Sequence, residues 1–303
     1  MIAERTLAGV LAGLAAGALW GLVFVAPRML GGGYSSVDLT AGRFVAYGAV
    51  AAVLLAWSTR KRPLPTGGQA LAAIGLSILG FTGYYLLLVL AIRDAGTEVP
   101  TLVIGTIPVW VMLLGKPGHL RWSALLPGLG LTAAGLALMM GAARDLAGPA
   151  QAPHFWRGVL FALVSLAAWT AFAILNGRWL KRHPQVQVTE WANWLGVATG
   201  LGALLLWAVA GSPLQQLASQ PQRGMFLALA LATGFGSAWL ATILWNVASR
   251  RLSASLCGQL IVSETLFALF YSFAWDGQWP SPSQLAACVL FTLGILASIK
   301  AHQ

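Results

Sequence analysis

Charge is what this sequence has least of. Of 303 residues, 9% are Asp, Glu, Lys or Arg, and only 8 are acidic. A water-facing domain carries roughly 25% charged residues to keep its surface wet. A soluble globular chain is therefore excluded, and lipid is the main solvent. Cysteine is almost missing, and Cys257 and Cys288 both stand inside apolar runs. That excludes a disulfide framework and a thiolate metal site; both residues read as small buried side chains. Histidine is equally sparse. His119, His154, His183 and His302 fall in loops or at the terminus, and neither HExxH nor GxSxG occurs. Without a grouped nucleophile, base or metal-ligand set, no enzyme, no metal and no cofactor are expected. Alternating segments of roughly ten residues, the mark of a membrane β-barrel, are missing as well.

What is present is apolar. Hydrophobic residues make up 58%, with 35 glycines and 14 tryptophans, and mean hydropathy is +0.77. Apolar runs cover about 7–27, 38–57, 69–92, 97–114, 122–142, 156–177, 187–210, 224–247, 252–274 and 283–299. Each is near the twenty residues that cross about 30 Å of hydrocarbon as a helix. The first run is too long for the apolar core of a signal peptide and reads as a spanning helix. The longest connection, around 143–155, holds Gly148, Pro149 and Pro153 and divides the chain into 1–146 and 147–303. Net charge is +10, yet no basic domain stands outside the apolar runs, so no nucleic-acid partner is expected.

Lys and Arg set the orientation. With the N-terminus in the cytoplasm, twelve lie inside: Arg5, Arg60, Lys61, Arg62, Lys116, Arg121, Arg178, Lys181, Arg182, Arg250, Arg251 and Lys300. Five lie outside, Arg28, Arg93, Arg144, Arg157 and Arg223, while Arg43 sits within a span. Both termini are expected in the cytoplasm.

The halves echo each other. Gly9-Val10-Leu11 and Gly158-Val159-Leu160 open runs one and six, and Trp20 and Trp169 each follow eleven residues later. Leu90-Ala91-Ile92-Arg93 matches Val247-Ala248-Ser249-Arg250, and Gly135 matches Gly294. Five helices per half is odd, so the second half enters the membrane upside down, which places a solute site near the midplane. The expected fold is an all-α integral membrane protein of ten helices in two inverted five-helix repeats.

On the stretches Gly9–Pro27 with its central Trp20, Asp38-Leu39-Thr40-Ala41-Gly42-Arg43 and Ala91–Pro108, with Trp169, Ala248–Ser263 and Asp276-Gly277 in the second half, the chain resembles the drug/metabolite transporter superfamily. The branch it is similar to has ten helices in duplicated EamA-type halves. Its mid-span tryptophans and tyrosines most resemble bacterial YddG-type exporters of aromatic amino acids. The resemblance implies a multi-pass protein of the bacterial inner membrane. Such halves often end in Gly-Glu after their fourth helix; Gly115-Lys116 and Trp275-Asp276 stand there instead, so no coupling role is assigned to that position.

Candidate cavity residues follow from depth and spacing. Trp20, Trp110, Trp169 and Trp239 lie far from the interfaces, where an indole N–H needs a partner. Tyr84 and Tyr85 supply hydroxyls at mid-span, and Thr106 stands four before Trp110. Pro108 between them should kink its helix and free a carbonyl. Ser255, Gln259 and Ser263 form an i, i+4, i+8 stripe; either a polar path or interhelical hydrogen bonding fits it. Glu264 lies near the centre of the ninth run, for proton coupling or structure, and Arg43 near the edge of the second, read as structural. The glycine ladder Gly9, Gly13, Gly17, Gly21 and the pair Gly196, Gly200 allow close helix contact. The resemblance implies export of amino acids, aromatic ones favoured, or related metabolites by alternating access through a central cavity, the bilayer and a small solute being the partners. A proton-coupled multidrug or cation exporter, and a receptor or structural membrane protein, remain open alternatives. Oligomeric state is not fixed by the sequence.

Overall fold

A computed structural model of the chain describes residues 2–30, 33–58, 65–96, 98–144, 154–277 and 279–302. Among these, every regular element is helical. Ten helices carry the fold: α1 (Ile2–Gly21), α2 (Ser36–Ser58), α3 (Gly67–Ala95) and α4 (Val99–Leu114), α5 (Trp122–Arg144), α6 (Phe155–Arg182), α7 (Val188–Ala210), α8 (Arg223–Arg251), α9 (Ala254–Asp276) and α10 (Pro282–Ala301). All but α4 have the length and hydropathy of a membrane span. The expected boundary at 146/147, with Gly148, Pro149 and Pro153, lies outside the described residues.

Local chemistry sets the helix ends. Capping boxes open α3 at Thr66/Gln69 and α10 at Ser281/Gln284, each satisfying two backbone donors. Gly96 and Gly277 stop α3 and α9 at φ 77° and 63°, where a Cβ would be strained. The kink expected at Pro108 is present as a full interruption of α4 at Thr106 (φ −82°, ψ −5°). Proline cannot donate to the Ile104 carbonyl four residues back. Wide π turns occupy Ile78–Thr82 of α3 and Gly234–Leu240 of α8; turns of this kind loosen a helix and cluster at functional sites.

Helix packing is nearly unchanged when helix n is exchanged with n+5. The main pairs are α2 with α7, α5 with α10 and α4 with α9, each its own counterpart, then α1–α8 with α6–α3, and α1–α9 with α6–α4. Small residues set the closest approaches. A Cβ on Gly48 of α2 would stand 2.6 Å from the Gly200 Cα of α7. Side-chain bonds repeat as well: Thr106 Oγ1 donates to Val103 O (2.7 Å) and Ser263 Oγ to Leu260 O (2.7 Å).

One departure from this exchange matters. α6 packs on α8 and on α9, and α7 on α8, whereas α1–α3, α1–α4 and α2–α3 make no comparable contact among the described residues. The extra contacts gather at the end of the bundle where both chain termini lie. There Gly9 of α1 meets Arg251 and Leu252, and Ser298 of α10 reaches Gln259 of α9 (3.1 Å). The bundle is thus packed shut at this terminal end and looser at the other.

Candidate substrate chamber

Three tryptophans meet at the centre. Gly13, Gly17 and Gly21 press α1 against α9: Cβ atoms there would come 2.6 Å from Leu260, 2.2 Å from Ser263 Oγ and 2.9 Å from the Ala268 amide. That approach leaves Trp20 turned toward α6 and α8. Its ring lies 6.4 Å from Trp169, edge-on, and 5.3 Å from Trp245, while Trp169 and Trp245 are 6.2 Å apart. Trp245 is 1% exposed, and its indole N–H finds no acceptor. A buried unspent donor costs about 1–3 kcal/mol.

The aromatic wall continues without a gap. Trp169 meets Phe172 (6.0 Å), Phe172 meets Phe81 (5.4 Å), Phe81 meets Phe44 (5.8 Å) and Phe44 meets Tyr85 (6.5 Å). The Arg43 guanidinium stands 4.8 Å over the Phe44 ring, within the range of a cation–π contact. Tyr84 packs on the same core. Trp20, Arg43, Tyr84, Tyr85, Trp169 and Glu264 are interior positions, yet each keeps partial accessibility. These partly accessible interior residues mark the candidate chamber.

Other candidates lie elsewhere. Trp110 is 44% exposed on the flank of α4. Trp239 spends its N–H on Asn193 Oδ1 (2.8 Å) and tilts against Phe235 (5.0 Å). Thr106 is turned back onto Val103, and Pro108 is buried. Gln259 is fully buried; its amide donates to Thr132 Oγ1 (2.8 Å) and accepts from Ser298 (3.1 Å). Ser255 is buried, and Ser263 faces Gly17. The α9 stripe therefore serves helix contact in this structure, gluing α5, α9 and α10 where no water can.

The terminal end is held by polar side chains. Asn176 of α6 donates to Asn246 Oδ1 of α8 (2.9 Å) and accepts from Trp191 Nε1 of α7 (2.8 Å). Trp179 stacks on Trp191 at 3.5 Å. Lys181 donates to the Leu252 carbonyl, and Arg250 to Val186 O (2.5 Å). At the opposite end Arg157 and Arg93 bind Asp94 (2.6 and 3.1 Å). Asp38 of α2 accepts from Ser35 and Ser212. Trp245 and Trp191 escape the sequence reading. Trp245 sits late in its run, beside Arg250, where an interfacial tryptophan is the ordinary expectation; the Asn246 that follows it was the available signal.

Comparison with known proteins agrees with this architecture. The EamA-like transporter family matches residues 7–141 and again 156–299. The chain is 31% identical over 313 residues to inner membrane protein YtfF of Escherichia coli strain K12, covering 97% of this chain and 96% of that protein. A solved crystal structure, 22% identical, superposes with a TM-score of 0.76 over 96% of this chain and 97% of its own, which speaks for the fold.

Proposed function

The chain belongs to the EamA-like transporter family of the drug/metabolite transporter superfamily and is a membrane transporter; from that premise we propose that it exports amino acids, aromatic ones foremost, or related small metabolites, without chemical change. The observation that carries the reading is the meeting of Trp20, Trp169 and Trp245, with Trp20 and Trp169 partly accessible and an aromatic chain running on from Trp169 to Tyr85. Aromatic walls of this kind stack on apolar or aromatic solutes.

The transport cycle is alternating access between two inverted halves. The family match to each half and the n to n+5 exchange of helix pairs support the repeat. Lys116, Arg121, Arg178, Lys181, Arg182, Arg250, Arg251 and Lys300 gather at the terminal end, which the positive-inside rule places in the cytoplasm of an inner-membrane protein. The α6–α8 contact is then a closed cytoplasmic gate, and the lack of a comparable α1–α3 contact among the described residues an open outer one.

The test is uptake into proteoliposomes. Labelled aromatic and aliphatic amino acids are compared, with and without a pH gradient, for wild type and Trp169→Ala. Saturable aromatic uptake that the variant loses is the expected result. Folded protein that moves no amino acid overturns the substrate assignment. Dependence on the gradient would make Glu264, the carboxylate in reach of the chamber, a coupling group.

A further inference from the structure

Two side chains of opposite charge type, Arg43 and Glu264, border this candidate chamber without an ion pair between them among the described residues. Arg43 comes from α2 and Glu264 from α9. The Glu264 backbone lies against the turn of α1 that carries Trp20: its amide and carbonyl stand 3.1 and 3.2 Å from where Cβ atoms on Gly17 and Gly21 would be. Arg43 is tied to the same wall through Phe44 and Tyr85. The two side chains are close enough to feel each other's charge, together with Tyr84 and Tyr85. Among the described residues they form no ion pair, the Arg43 Nε has no acceptor, and the electrostatics of the Glu264 carboxylate include no hydrogen bond.

Such an arrangement is costly. Charges far from water in a membrane bundle normally pair with each other or with backbone, and an unpaired buried charge is strongly destabilising. Here the two stand too far apart for an ion pair, and Arg43 lies against the aromatic wall through Phe44. A solute with a carboxylate and an ammonium on one carbon supplies both missing partners, and its side chain reaches the tryptophans.

We propose that Arg43 and Glu264 form a clamp for a zwitterion, Arg43 taking the carboxylate and Glu264 the ammonium of an amino acid whose apolar side chain rests on Trp20, Trp169 and Trp245. This deepens the amino-acid reading and rests on it. It also gives Arg43 a ligand role in place of the structural one expected from sequence.

The experiment needs no variant at its first step. Purified wild-type protein in detergent is titrated with tryptophan, with tryptamine, which lacks the carboxylate, and with indole-3-propionate, which lacks the ammonium. Tryptophan should bind about 10- to 100-fold more tightly than either, the range set by losing one charge-assisted contact. Arg43→Gln should then weaken tryptophan toward the tryptamine level while leaving tryptamine unchanged. Glu264→Gln should do the reverse, weakening tryptophan and sparing indole-3-propionate. Equal wild-type affinity for the three overturns the clamp, although the aromatic reading stands. If none of the three binds while an unrelated solute does, the clamp and the amino-acid reading fall together. Tryptophan affinity unchanged in folded Glu264→Gln overturns the ammonium assignment.

Discussion

Removing the Asn176 side chain should open the terminal end. Asn176 joins α6 to α8 through Asn246 (2.9 Å) and to α7 through Trp191 (2.8 Å). Asn176→Ala deletes both bonds and leaves Trp191 Nε1 without its acceptor inside the closed bundle. Interhelical hydrogen bonds in membranes average about 0.6 kcal/mol and reach about 1.7 kcal/mol. Two together are worth about 1–2 kcal/mol to the closed form, since water serves the same groups once the gate parts. The open population should rise about five- to thirty-fold. Cys257 reads this out, being a buried thiol on α9 that faces Ser249 of α8 and Lys181 of α6. In a Cys288→Ser background, its labelling by a membrane-impermeant maleimide should accelerate by the same factor in Asn176→Ala. Ser165→Ala, which removes a bond from α6 to the Tyr84 carbonyl of α3 (3.0 Å), should not change the rate, because the α3–α6 contact belongs to the pairs that helix exchange preserves. An unchanged Cys257 rate in folded Asn176→Ala refutes the view that this network holds the gate.

Three further outcomes follow from the geometry. Gly48→Val should fail to assemble or lose thermal stability sharply in detergent, since its Cβ meets the Gly200 backbone, whereas Gly75→Ala, with nothing within 4 Å, should melt like wild type. Gln259→Leu should lower the melting temperature, because it strands Thr132 and Ser298 at about 1–3 kcal/mol for each buried group left unpaired, but leave the apparent affinity for solute unchanged; a changed affinity would return Gln259 to the chamber. Arg157→Gln should leave the thermal melt nearly unchanged despite its 2.6 Å contact with Asp94, because the arginine is half in solvent and Arg93 also binds Asp94.

The spans were legible because lipid leaves the backbone no choice: a run of twenty apolar residues must be helical to satisfy its own amides. The same rule hides what happens within a run. Nothing in the composition of α3 or α8 announces the π turns at Ile78–Thr82 and Gly234–Leu240, whereas Pro108 marked the break in α4 by its chemistry. Trp20 and Trp169 were readable from symmetry, being equidistant from their opening glycines. Trp245 was not, since the offset that aligns Leu90 with Val247 places Leu88 opposite it. The stripe Ser255, Gln259 and Ser263 shows the limit of helical periodicity, which tells which residues share a face but not whether that face meets a cavity or another helix. Burial decided it, through partners on α5 and α10 more than thirty residues away in the chain.

On the proposed cycle the halves are alike in their helices and unlike at their gates, and that difference would set the resting state. Under the two-fold reading, an outer gate matching α6–α8 would bring α1 against α3. The offsets that align the repeats put Pro27 opposite Asn176 and Val89 opposite Asn246. Neither can donate or accept a side-chain hydrogen bond, so closing the outer gate recovers nothing equivalent to the Asn176–Asn246–Trp191 network. Ordering a gate costs conformational freedom in either direction. Under the proposed cycle the Asn176–Asn246–Trp191 network at the terminal gate offsets that cost and favours an empty protein whose chamber faces away from its termini. A bound zwitterion changes the balance. By joining α2 to α9 through Arg43 and Glu264 it removes two unpaired charges from the chamber, a gain that grows as water is excluded and is therefore largest when both ends are shut. On the proposed alternating-access cycle, solute binding would favour the occluded form, and the residues that recognise the cargo would be the same ones that permit its movement.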